Sequence, residues 1–303
     1  MKLAILVVYF LRDENIPILD LHLKSLNAYT EGDFVIYGVA PRVSDAVRSR
    51  LAGVPNLEMV DVEPTGFVGS KEHSYYLNKL CEHAIANGAE RLCTMDVDAF
   101  PVIEGWNRQL ESEIGAGNHL AAVFRQENND TALPHPSCCY FSSDFYRRYA
   151  PTFLPDESVL SGPEFSEFLS TTGQKPDSGI GVGFTVWKHQ LPWKRLYRSN
   201  KRNDHYLLAG LYGDIVFHLG AMSWTDRDFR KDRSSSVLTA GLDMLAGVLR
   251  RVGLFRGPVA GLWRRANFAA SRPLVRKTNN VFEDILERLK TDPRGYIRYL
   301  RGE

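Results

Sequence analysis

Asp96 and Asp98, one residue apart, close the apolar run Leu92-Cys93-Thr94-Met95. Two carboxylates spaced this way at the end of a strand can converge on one hard cation. Magnesium and manganese favour oxygen ligands and keep other positions for water or substrate phosphate. A cation held there stabilises negative charge on a departing phosphate oxygen. A bare D-x-D also occurs as a solvated turn, so its neighbours decide. His218 follows the strand signal at 214–217, and an imidazole is an acceptable manganese ligand beside carboxylates. A lone histidine at a strand end serves equally as a structural residue.

Other residues suit the second half of a group transfer. Asp177 stands in Lys175-Pro176-Asp177-Ser178-Gly179-Ile180-Gly181-Val182-Gly183, where the glycines permit close backbone approach to a ligand. It is the first candidate for taking a proton from an attacking hydroxyl, and a turn aspartate before glycine fits the same string. Asp204, beside His205, is the second candidate. Arg125-Gln126-Glu127-Asn128-Asn129-Asp130 is crowded with hydrogen-bonding groups that suit ligand hydroxyls or an exposed loop. His135-Pro136-Ser137 is equally open. Arg12, after the first apolar run, is placed for a phosphate; Tyr9 suits a nucleotide base or the core.

The elements that must position these groups alternate strand and helix. Residues 2–10 read as a strand buried on both faces, as in a parallel sheet. A helix follows with Pro17 in its first turn and Ile18, Leu21, Leu26 and Tyr29 along one side. Residues 34–39 are a second strand. Ser44 can cap a short helix that Gly53 closes, and 57–62 form a third strand. The next helix carries Leu77, Leu80, Cys81, Ala84 and Ile85 and stops at Asn87-Gly88. Residues 91–95 then form a strand ending on Asp96. Repeated β-α units predict a doubly wound, mostly parallel α/β sheet, whose ligands bind beyond the carboxyl ends of the strands. From about 105 to 226 the pattern is less regular, with strand signals at 120–125 and 138–142.

The 303 residues suffice for one large α/β domain with an appendage. A formal charge of +1 conceals a split. Residues 226–303 hold 17 Lys/Arg against 9 Asp/Glu, and residues 1–225 hold 20 against 27. The boundary is accordingly placed at 225, with a catalytic domain before it and a basic amphipathic helical region after it. Cys81, Cys93, Cys138 and Cys139 form neither a zinc pattern nor a disulfide framework, which fits a reducing cytoplasmic location. The apolar start is too short for a signal sequence and runs into Arg12-Asp13-Glu14, and no apolar stretch reaches membrane-spanning length.

Residues 1–103 resemble the nucleotide-binding half of GT-A fold glycosyltransferases. The string Leu92-Cys93-Thr94-Met95-Asp96-Val97-Asp98-Ala99-Phe100-Pro101-Val102 is similar to that superfamily's D-x-D signature, and His73-Ser74-Tyr75-Tyr76-Leu77-Asn78 to the polar segment before it. Phe217-His218-Leu219-Gly220-Ala221-Met222-Ser223-Trp224 resembles the late H-x-G-x-x-x-W segment of glycogenin-like transferases, with Met222-Ser223 where those carry Lys-Pro. The resemblance implies a Rossmann-type GT-A fold and a nucleotide-sugar donor, UDP-linked by family habit. It implies a manganese or magnesium ion held by Asp96, Asp98 and His218, with Asp96 also near the donor ribose. Donor contacts would fall to His73, Asn78, Arg12 and Arg125. The acceptor would be a glycan, a lipid-linked saccharide or a small molecule. Whether the anomeric carbon is inverted, with Asp177 as base, or retained stays open.

Two other readings compete. Haloacid-dehalogenase-type phosphatases also end a strand in D-x-D, but on the first strand and followed by Gly-Thr, whereas Ala99-Phe100-Pro101 follows here. A sugar-binding protein of the same fold without turnover is the third reading. The basic stretch 237–268 suits an anionic membrane at its inner face, and equally suits helices packed on the catalytic domain with arginines facing water. No basic groove interleaved with aromatics suggests nucleic acid.

Overall fold

A computed structural model describes residues 2–220 and 279–303, with isolated positions between 241 and 266. The chain divides into two compact units, Met1–Met222 with Asp292–Glu303, and Ser223–Thr291. The last twelve residues, counted from sequence with the basic region, thus belong to the first unit. The basic stretch 237–268 lies outside the described residues apart from those isolated positions.

The first unit is built on strand β1 (Leu3–Val8), all six residues of which are buried. Its alternation assigns each face a core. Leu3, Ile5 and Val7 enter one hydrophobic cluster; Ala4, Leu6 and Val8 enter another. Helices α1 (Ile16–Tyr29), α2 (Asp45–Ala52) and α4 (Trp106–Gly115) supply Leu19, Leu23, Leu26, Val47, Leu51, Trp106 and Leu110 to the first cluster. Helix α3 (Ser70–Ala86) supplies Tyr76, Leu77, Leu80, Cys81 and Ala84 to the second. Local signals act as their chemistry dictates. Pro17 sits in the first turn of α1, the Ser44 hydroxyl accepts the Val47 N–H at the start of α2, and Gly53 ends that helix.

Strands β2 (Phe34–Val39), β3 (Leu57–Met59), β4 (Arg91–Met95), β6 (Leu120–Phe124), β7 (His135–Ser142) and β8 (Lys194–Tyr197) complete a seven-stranded sheet in the order β3-β2-β1-β4-β7-β6-β8. The mostly parallel α/β sheet with flanking helices expected from sequence is present. Only β7 runs against its neighbours β4 and β6. A second, three-stranded antiparallel sheet joins β5 (Ala99–Pro101), β10 (Val216–His218) and β9 (Gly210–Tyr212). Between β7 and β8 the irregular sequence folds into α5 (Ser143–Tyr149), α6 (Glu157–Leu160), α7 (Pro163–Thr172) and α8 (Ile180–Lys188). The C-terminal helix Pro293–Arg301 docks on the first unit through Tyr296 and Tyr299, whose hydroxyls both donate to Asp204. Asp204 is therefore engaged in holding this helix. No helix among the described residues is long and apolar enough to cross a membrane. All four cysteines are buried free thiols, and burial pushes those of Cys81 and Cys139 up.

Candidate active site

The D-x-D is the turn where the chain leaves one sheet for the other. Strand β4 ends at Met95, and the Ala99 N–H donates to the Asp96 carbonyl across a four-residue turn at 2.9 Å. Beyond it β5 pairs antiparallel with β10, and in that register Ala99 faces His218. The Leu219 N–H donates to the Asp98 carbonyl at 2.9 Å. These pairings bring a histidine 120 residues downstream beside both aspartates.

One ligand atom from each of Asp96, Asp98 and His218 lies within 4.8 Å of the other two. His218 Nε2 is 3.5 Å from Asp98 Oδ1 and 3.7 Å from Asp96 Oδ2. Atoms about 2.1 Å from a shared ion stand roughly 3 Å apart at right angles and about 4.2 Å apart when opposed. The two histidine–carboxylate separations fall within that interval, and two carboxylates with one imidazole suit manganese or magnesium. Burial pushes the Asp96 carboxyl above the ordinary aspartate value; His73 and His218 oppose the shift and Asp98 adds to it. A site that disfavours its own negative charge gains from a cation.

Further groups surround the cluster. His73 Nε2 is 3.5 Å from Asp96 Oδ1, and its Nδ1 lies 3.1 Å from the Ser178 hydroxyl. Ser178 also meets the Ser74 hydroxyl at 3.0 Å. Next to it, Asp177 Oδ1 accepts the Ser70 hydroxyl at 2.6 Å and the Ser178 N–H at 2.8 Å. The start of α3 and the start of α8 thus meet beside the aspartates. Arg125, at the end of β6, pairs with buried Asp130 at 3.3 Å and lowers the pKa of Asp96 through its charge. The ring of His135 lies 5.5 Å from that of His218, tilted by 35°, and its Nδ1 accepts the Ser137 N–H.

Gly179 makes the junction with α8 possible. Its φ is +98°, and a Cβ there would collide with the Pro134 carbonyl oxygen. Gly179→Ala is expected to cost about 1–3 kcal/mol, seen as a lower urea midpoint, because the overlap is with backbone that cannot rotate away. An unchanged midpoint would show that the loop relaxes freely.

Other candidates sit farther out. Arg12 is exposed just past the carboxyl end of β1. The Asn78 side-chain oxygen accepts the Phe153 N–H at 3.0 Å, tying α3 to the segment before α6. Tyr9 is wholly buried in the core, its ring lying where a Cβ on Gly38 would stand. Phe10, not Tyr9, is the aromatic near the cleft: its ring lies 6.1 Å from that of His73, with the Arg42 guanidinium 5.2 Å above it. Arg42 in turn pairs with buried Glu72 at 2.7 Å. Phe10 and Arg42 belong to no motif, and Ser178 stands in the 175–183 string without a role assigned to it. A cavity of about 870 Å³ lies elsewhere, bounded by α7, α8 and the start of β8; Trp187 and Trp193 line it, and none of the candidate residues does.

No family model matches the sequence. No curated protein matches it. Among solved structures the chain is similar to S. aureus TarS in complex with UDP-GlcNAc, at 13% identity and a TM-score of 0.42, covering 68% of this chain and 60% of that one. It is similar to mouse xyloside xylosyltransferase 1 at 14% identity and 0.39, covering 65% and 85%. It is also similar to the galactosyltransferase LgtC in complex with donor and acceptor sugar analogues, at 13% and 0.37, covering 64% and 73%. In two further matches the chain spans 51% of TarS 1–349 and 45% of GlyE from Streptococcus pneumoniae.

Proposed function

We propose that the chain is a metal-dependent glycosyltransferase that moves a sugar from a nucleoside-diphosphate donor, UDP-linked, onto a saccharide, lipid-linked or small-molecule acceptor. The observation that carries this reading is the convergence of Asp96, Asp98 and His218 at the carboxyl end of β4. Two motifs 120 residues apart, each weak alone, meet at the point where a doubly wound sheet binds ligands.

In this mechanism Asp96, Asp98 and His218 hold manganese or magnesium. When bound, the cation neutralises the diphosphate and stabilises the charge it gains on leaving. His73 orients Asp96, and Arg125 adds positive charge on the donor side. Arg12 and Asn78 are the remaining proposed donor contacts, Asn78 through the amide nitrogen that its bond to Phe153 does not use. Asp177, aligned by Ser70, takes the acceptor proton if the transfer inverts the anomeric carbon. The basic stretch 237–268 suits an anionic membrane surface, which fits a lipid-linked acceptor.

The test is nucleoside diphosphate release from a panel of UDP-, GDP- and CDP-sugars with manganese, with and without chelator. Chelator-sensitive release from one nucleotide class supports the reading. Release that ignores the chelator sinks the metal clamp. Donor binding without release in the presence of varied acceptors favours a sugar-binding protein, and phosphate release from phosphomonoesters favours a phosphatase.

A further inference from the structure

We infer that His22 is a positioning residue for the metal ligands: it locks helix α1 to the backbone that carries Asp98 and faces His218. The inference rests on the metal reading of the Asp96–Asp98–His218 cluster. His22 lies in the middle of α1, wholly buried. Its Nδ1 is 2.6 Å from the Ala99 carbonyl oxygen, 77 residues away. A carbonyl can only accept, so Nδ1 carries the proton and donates. Its Nε2 is buried with no hydrogen-bond partner. If His22 served packing alone, an apolar side chain would fill the site without leaving a buried nitrogen unsatisfied. The single bond it makes therefore points to the peptide it grips.

The peptide just before it, Asp98–Ala99, is fastened at both ends. The Ala99 N–H closes the D-x-D turn onto the Asp96 carbonyl. The Asp98 carbonyl receives the Leu219 N–H, and Ala99 is the antiparallel partner of His218. His22 supplies the third fastening, on the next peptide, and of these three it is the one that comes from outside the two strands and their turn. Losing it leaves the Ala99–Phe100 peptide free to tilt at the start of β5, which loosens the strand pairing that sets Asp98 against His218. Metal sites lose roughly 10–100-fold in affinity when the groups that orient their ligands are removed.

The experiment measures manganese affinity by electron paramagnetic resonance and backbone amide exchange at Ala99 and Leu219 in metal-free protein, on the full chain. Expected for His22→Phe is a 10–100-fold weaker Kd and faster exchange at both amides. His22→Asn, whose amide N–H can occupy the place of Nδ1–H, should bind manganese at least several-fold more tightly than His22→Gln, whose amide falls nearer the Nε2 position. That Asn–Gln comparison carries the test if the Phe variant fails to fold. A Kd for His22→Phe within twofold of the parent, or equal Kd values for the Asn and Gln variants, overturns the inference. A parent protein that binds no manganese, or binds it equally well as Asp98→Asn, instead overturns the metal reading beneath it.

Discussion

Asp98→Asn is expected to lower manganese-dependent nucleoside diphosphate release by about 10²–10³-fold, the usual effect of deleting one electrostatic stabiliser of a transition state. Asp98 is buried at 5% exposure, with its carboxylate 3.5 Å from His218 Nε2. The amide has the same shape, so packing around the turn is kept, and the Leu219 N–H still reaches the residue 98 carbonyl. What disappears is one of two negative charges in the cluster. The loss should therefore fall on metal affinity and turnover while near-ultraviolet circular dichroism stays unchanged. Excess manganese should restore part of the rate, because the remaining Asp96 and His218 form a weaker site. A variant that keeps its rate within tenfold at limiting manganese would show that the charge of Asp98 is not what the reaction uses.

Much of the frame that brings this residue to its place was legible in the chain. The unbroken apolar run of β1 announced burial on both faces, and the two core clusters divide its residues by parity. The periodic face of α3, the Ser44 cap and the Gly53 stop each report a local rule that tertiary context did not override. The later half was harder for physical reasons. β5, β9 and β10 are three residues long and fully buried, too short for alternation to show. Helix α8 contains Gly181 and Gly183 among Val, Ile, Phe and Thr, all modest helix formers, so its string suggests a loop. It is helical because those glycines lie against the Thr152 and Ala132 carbonyls, where a Cβ would collide. His218 could be picked out by motif, but its pairing opposite Ala99 follows only from the second sheet. His22, a lone histidine in an amphipathic helix, offered no signal, since its partner is a backbone atom 77 residues away.

The stability of the metal-free protein depends on Asp96. Burial raises this carboxyl above the ordinary aspartate value of 3.8 in the folded, metal-free protein. Between 3.8 and the raised value the folded state holds more protons than the unfolded chain. Stability therefore declines as pH rises through that window, and the penalty persists at neutral pH. Asp96→Asn removes the ionisable group at nearly constant shape. Without metal, the variant should unfold at a higher temperature than the parent at pH 7.5, and the difference should close as pH drops below 3.8, where the parent carboxyl is protonated as well. Manganese should reverse the order. At a hundredfold excess over Kd a ligand selective for the folded state contributes about 2.7 kcal/mol, which is several degrees of Tm for a domain of this size. The parent should gain that increment at pH 7.5 and lose it on acidification, as protons compete with the ion for its ligands; the Asn variant should gain little at any pH. Differential scanning calorimetry across pH, with and without manganese, reads all four arms. An Asn variant less stable than the metal-free parent at pH 7.5 would mean that the Asp96 charge is compensated within the protein. The cluster would then be a finished ion network of aspartates and histidines, and the cation would have no deficit to fill.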